Sequence, residues 1–260
     1  MSNQKIIYLI DESLVKEIER KRKFIQSRTS GVTLLALGDS YIRMIEKESD
    51  SHSYSIEYPR TKKKAQKNGM SNIQNAMNWG LDYFRKNNKQ ISEEFIKELA
   101  GKIDPFTYKG YPANYRNCTV NLKGYIFTPP YPEKIPREMR RFISEANNLL
   151  NEVKENSRSP VEPAVFCHFH LVRIHPFVDG NGRTTRTLQN IILKSWNLPP
   201  ATIYKGERII YFELLENAKM AYRVRMGNDQ TLYPSKEERE FYNYLATKVN
   251  INLDKILNLD

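Results

Sequence analysis

A chain of 260 residues with 40% hydrophobic and 11% aromatic content can bury a sizeable core, which excludes a disordered or fibrous protein. Lys and Arg total 41 against 30 acidic residues, and the net charge of +11 points to anionic partners: nucleotide, nucleic acid or an acidic protein surface. Cys118 and Cys167 are the only cysteines, too few for a disulfide framework and in keeping with a reducing cytoplasm.

In chain order, the apolar run Ile6 to Ile10 is stopped by Asp11 and Glu12, too short for a secretory leader or a membrane span. Leu14, Val15 and Ile18, then Leu34 to Ile45, predict two helices split at Ser30-Gly31. Arg60 to Lys67 is densely basic but lacks interleaved aromatics, so it reads as a solvated loop rather than a nucleic-acid patch. Ile73, Ala76, Met77, Leu81 and Phe84 recur at helical spacing, as do Met139, Phe142, Ile143, Ala146, Leu150 and Val153. Between these helices, residues 118–122 and 125–128 around Lys123-Gly124 read as a β-hairpin ended by Pro129-Pro130. Ser159, Pro160 and Glu162 suggest a capping box opening a helix to Ile174, and Ser235 with Glu238 suggests another. Pro176 must end the first of these, because a residue preceding proline is pushed out of the helical region. A further helix with Leu188, Ile191, Ile192 and Trp196 inward follows the loop. The fold class is therefore mainly α.

The string from His175 to Arg186 concentrates a base, a carboxylate, a glycine-flanked amide and two guanidiniums. A glycine-rich loop running into a helix N-terminus offers unpaired N–H groups and the positive dipole end to a phosphate. Arg183 and Arg186 share a face of the first helical turn, an unfavourable place for cations unless a multiply charged anion offsets them. Asp179 is a hard oxygen ligand suited to Mg2+ beside phosphates. His175 is the side chain whose ordinary pKa suits general-base work near neutrality. His168 and His170 also lie close by, but they point to different helix faces with no cysteine or carboxylate to complete a metal shell, so they read as core.

The whole string resembles the Fic family signature, His-x-Phe-x-(Asp or Glu)-Gly-Asn-Gly-Arg-x-x-Arg, at every specified position. His168 matches a common upstream histidine, and Asn114-Tyr115-Arg116 followed by Val120 to Pro130 is similar to the family's flap hairpin. Leu198 to Ile203 with Tyr211-Phe212 is similar to the segment after the motif helix, so the likeness covers about residues 90 to 230. Where the family often has Phe-Glu before the motif histidine, this chain has Val172-Arg173.

The resemblance implies a Fic-fold helical bundle with a small β-hairpin flap: an N-terminal extension over 1–70, a catalytic core over 71–234 and a C-terminal helix over 235–260. It implies a protein adenylyltransferase using ATP and Mg2+, moving AMP to a Ser, Thr or Tyr hydroxyl with release of pyrophosphate. His175 would be the base and Asp179 the metal ligand. Gly180, Asn181, Gly182, Arg183 and Arg186 would bind phosphates, Phe177 would pack inward, and Tyr211 and Phe212 would lie near the adenine. The target protein would bind by strand addition along residues 118–128, with no role for membrane or nucleic acid; self-modification and a homo-oligomer stay open.

Ser53-Tyr54-Ser55-Ile56-Glu57 resembles the family's inhibitory motif, departing from it at Tyr58. The resemblance implies that Glu57 pairs with Arg186 and spoils the γ-phosphate pocket. Relatives with such a glutamate include ones that remove AMP, and that reading stays open, as do other cargoes such as UMP or phosphocholine and a non-catalytic nucleotide- or nucleic-acid-binding regulator. The phosphotransferase branch carries Lys at the position of Gly182, which argues against that chemistry.

Overall fold

A computed structural model describes residues 8–28, 32–57, 63–120, 126–228 and 234–258. Its helices are α1 (Glu12–Arg28), α2 (Val32–Glu57), α3 (Lys63–Lys86), α4 (Glu93–Ile103), α5 (Ile135–Lys154), α6 (Val161–Ile174), α7 (Asn181–Ser195), α8 (Arg208–Asn228) and α9 (Lys236–Leu257). Short 3-10 turns precede α5 and α8. Helix starts follow local chemistry where the caps form: Ser92 accepts the Phe95 N–H, and Ser235 and Glu238 form a reciprocal capping box. The box expected at Ser159 does not form. Ser159 instead meets Glu19 of α1, and Glu162 is drawn inward to accept from the Leu9 N–H and Arg158, because its side chain is fully buried.

α6 is the axis of the molecule. Every residue from Val161 to Ile174 is buried, with α5, α7 and α9 packed around it. α7 is sandwiched in turn between α6 and the helices α2, α3 and α4. The inward stripes read from sequence hold: Ile73, Ala76 and Phe84 are buried on α3, and Met139, Phe142, Ala146, Leu150 and Val153 on α5. Met77, Leu81 and Ile143 are only partly covered, and Trp196 lies one residue past α7, under the Lys89 ammonium.

Ile10, Val15, Ile18 and Ile56 share one buried cluster with the central helices, and α3 runs unbroken through residue 70. α1 lies against α9, joining the two ends of the chain. The basic run departs from expectation, since Lys63 to Lys67 open α3 instead of lying in a loop; residues 60–62 are outside the described residues. So is the tip of the expected hairpin, 121–125. Its described flanks, 118–120 and 126–128, carry no strand. Among the described residues, no helix is long and apolar enough to cross a membrane.

Candidate active site

The loop between α6 and α7 is shaped by three residues at its ends. His175 adopts the left-handed conformation, φ 51°, and its N–H still closes the helix on the Leu171 carbonyl. Gly180, with φ 77°, forms the N-cap of α7 in a conformation that costs glycine nothing. Asn181 folds its side chain back on Phe177, donating to the Phe177 carbonyl at 2.8 Å and accepting its N–H at 2.9 Å. The Asn181 side chain therefore closes the loop. Phe177 is fully buried against Tyr115 and Tyr108. The Tyr108 hydroxyl donates to the Asp179 carbonyl at 2.8 Å and accepts the Asp179 N–H at 3.2 Å, so the main chain of the metal-ligand candidate is held, while its half-exposed carboxylate accepts the Gly180 N–H at 2.6 Å.

The two arginines are buried, and both engage Glu57. Arg183 Nε donates to one carboxylate oxygen at 3.0 Å and Arg186 donates to the other at 2.8 Å. Arg186 also donates to the Ser53 hydroxyl and carbonyl at 2.9 and 2.8 Å. Further along, the Asn190 amide reaches Ser49 at 3.3 Å. Ser49, Ser53 and Glu57 are one turn apart on α2 and meet Asn190, Arg186 and Arg183 in reverse order, so a polar seam runs between antiparallel helices. The expected pair was Glu57 with Arg186 alone. Arg183 joins because its side chain lies one turn nearer the tip of α2, where it also meets Asp104 at 3.2 Å and Asp179 at 3.4 Å. Gly182 makes the arrangement possible: a Cβ there would lie 2.1 Å from a Glu57 oxygen.

His175 is half-buried beside this cluster. Burial first, then the charges of Lys219 and Arg116, pull its pKa down to about 3, against a weaker opposing interaction with the Val172 main chain. The imidazole is neutral at physiological pH, with Nδ1 buried and without a hydrogen bond. Lys219, on α8, is itself pushed down to about 8 by burial, with Glu216 opposing. Arg116 straps the site to the flap. It donates to the His175 carbonyl at 2.8 Å, the Cys118 carbonyl at 2.8 Å and the Pro130 carbonyl at 2.6 Å. From α8, Glu216 accepts the Phe127 N–H, and Arg223 donates to the Thr128 carbonyl at 2.9 Å.

Of the two aromatics that the resemblance sets near the adenine, Tyr211 packs in the core. That side chain is fully buried, and its hydroxyl bonds His168 Nε2 at 2.9 Å while His168 Nδ1 faces Gln189. It is core because its one polar atom is needed to satisfy a buried histidine. Phe212 stays half-buried beneath Arg208, which donates to the Ile56 carbonyl next to Glu57. Asp104, Tyr108 and Lys219 belong to no motif of the sequence. Asp104 closes α4 and Lys219 lies on α8, and only folding brings either to the loop.

Residues 89–193 match the Fic/DOC family. A protein adenylyltransferase Fic from Drosophila grimshawi is 36% identical over 125 residues, covering 48% of this chain and 24% of that protein. The chain thus spans about a quarter of the length of the curated relatives it matches. Among solved structures, a Fic domain containing signaling protein from Bacteroides thetaiotaomicron has a TM-score of 0.76 at 21% identity, over 94% of this chain and 96% of that one. Fic-1 from C. elegans has a TM-score of 0.68 at 19% identity, over 95% and 71%. At these identities the likeness is one of fold.

Proposed function

Because residues 89–193 form a Fic/DOC domain, we propose that this chain is a protein adenylyltransferase that moves AMP from ATP to a Ser, Thr or Tyr hydroxyl of a target protein, restrained by Glu57. The observation that carries the reading is the Glu57 carboxylate, gripped by Arg183 and Arg186 at the N-terminus of α7. A carboxylate held by two buried guanidiniums marks the place where phosphate oxygens would bind, and it competes for the same charge-assisted bonds.

In the reaction, the neutral His175 accepts the proton of the target hydroxyl through Nε2, since Nδ1 is buried. The hydroxyl oxygen bonds to the α-phosphorus, the bond to the β-phosphate oxygen breaks, and pyrophosphate leaves in the grip of Arg183 and Arg186. Bound phosphates add negative charge beside the imidazole and raise its pKa towards the working range. The N–H groups of Gly180, Asn181 and Gly182 cradle the phosphates once the Gly180 N–H is released from the Asp179 carboxylate, to which it donates at 2.6 Å. Asp179 fits a Mg2+ site because its half-exposed carboxylate stands at the helix N-terminus while its main chain is fixed by Tyr108; Mg2+ held there would supply charge neutralisation to the phosphates.

In this reading, residues 1–70 are the regulatory extension, 71–234 the catalytic core and 235–260 the closing helix. The target segment lies along 118–128 through main-chain hydrogen bonds. Incubation with ATP labelled at the α- or γ-position, with Mg2+ and with or without a cell lysate, tests the reading. We expect protein labelling from the α-label only, about tenfold stronger for Glu57→Gly and absent for His175→Ala. Labelling from the γ-position would overturn the assignment, and an unchanged Glu57→Gly rate would overturn the restraint. The lysate-free arm reports self-modification.

A further inference from the structure

The segment from Phe127 to Tyr131, which leaves the flap, forms one wall of a groove of about 800 Å³ that contains none of the residues assigned to phosphate or proton chemistry. Its other walls are the start of α5, the end of α6 and the last turns of α8. Lys134, Arg137, Arg141, Arg173 and Arg223 line it against a single carboxylate, Glu138. Glu145, outside the groove, holds Arg141 at 2.8 Å, and an excess of positive charge still remains. Arg137 and Arg141 stand one turn apart on α5, while Arg173 and Arg223 come from α6 and α8, so cations face one another across the groove.

Arg173 is the informative member. It is buried, donates one bond to Glu138 at 2.9 Å and stacks on Tyr222 at 4.1 Å. Its Nε is buried without a hydrogen bond. A buried guanidinium N–H without an acceptor is costly, and an incoming acceptor relieves that cost. Pro129, Pro130 and Met226 add apolar surface beside these cations.

We propose that this groove binds an acidic segment of the target protein, downstream of the stretch held by the flap. The inference rests on the adenylyltransferase reading for the identity of the partner, but not for the chemistry of binding. Spaced guanidiniums on two walls suit carboxylates on the two edges of an extended peptide. A nucleic-acid strand would need a continuous track of phosphate contacts, longer than this short groove provides.

The test is fluorescence anisotropy of a fluorescein-labelled glutamate-rich peptide on the full chain, without ATP. The groove variant is Lys134→Glu/Arg137→Glu. The control, Arg85→Glu/Lys86→Glu, changes the net charge equally on exposed positions elsewhere. We expect about tenfold weaker binding for the groove variant and less than about twofold for the control. Equal losses, no loss, or single-stranded DNA of matched charge displacing the peptide from wild type but not from the groove variant would overturn the proposal. The two readings fail separately. Peptide binding that depends on the groove in a protein without AMP transfer sinks the enzyme reading alone, and transfer without groove-dependent binding sinks the groove alone.

Discussion

Gly182 carries no side chain at the point where the Glu57 carboxylate enters the arginine pair. A Cβ there would lie 2.1 Å from Glu57 Oε1 and 3.0 Å from Arg186 Nη1, both at the ends of flexible side chains, so the glutamate would be pushed out while the main chain stayed. In the intact protein Gly182→Ala should cost about 1–2 kcal/mol, because two buried guanidiniums lose their shared acceptor. In a Glu57→Gly background the same change should be neutral or stabilising by up to about 1 kcal/mol, since alanine favours the helix over glycine. Denaturant unfolding of the four proteins measures the coupling, and equal effects in both backgrounds would refute it. Glu57 itself was legible as a resemblance in a short motif. Its second partner, Arg183, was not, because a one-turn offset along α7 is decided by how α2 lies across it. Asp104, which also holds Arg183, was invisible for the same reason.

At the scale of elements, the flap is fixed at its base. Arg116 gathers the carbonyls of Cys118 and Pro130, the two ends of the segment, and ties both to His175. Arg116→Met should leave these carbonyls without their charged donor and cost about 3 kcal/mol or more. Amide exchange should rise at 117–120, at 126–128 and at the loop carrying His175 while the amides of α9 keep their protection. Arg116→Lys should not rescue, because one ammonium cannot reproduce a guanidinium fork aimed at three carbonyls. Unchanged exchange in the flap segment would mean that Glu216 and Arg223 on α8 suffice to hold it. The sequence marked this stretch as a hairpin between helices but contained no local sign of what anchors it, since Arg116, Glu216 and Arg223 meet only through the packing of α8 beside α6.

The molecule as a whole carries three histidines on or next to its central helix, all kept neutral by burial. His168 and His175 are pushed down to about 3 and His170 well below its ordinary value. Between those values and about 6.5 the unfolded chain binds more protons than the folded one, so stability falls as pH drops, by up to about 1.4 kcal/mol per pH unit for each histidine. Glu162, raised by burial, works in the opposite sense over its own window. The denaturant midpoint should therefore fall between about pH 6 and pH 4.5, and His170→Gln should flatten that slope. A pH-independent midpoint would show that the histidines admit protons while folded.

The sequence by itself determined the helical class, the inward stripes of α3 and α5, and the break at Pro176. It also placed the cluster from His175 to Arg186 on one loop and helix start. Each of these depends on residues close in the chain, where periodicity, proline sterics and capping act directly. The tertiary structure alone decided that Asn181 is spent on Phe177, that Tyr211 is core, that Glu57 bridges two arginines and that Arg173 lines a basic groove. The hydrogen bonds of Asn181 and Tyr211 could not be read from sequence, because hydrogen-bond satisfaction inside a packed core decides which partner a polar atom takes. The bridge and the groove join residues from helices far apart in sequence, and their geometry exists only once α2 lies against α7 and α8 closes beside the flap.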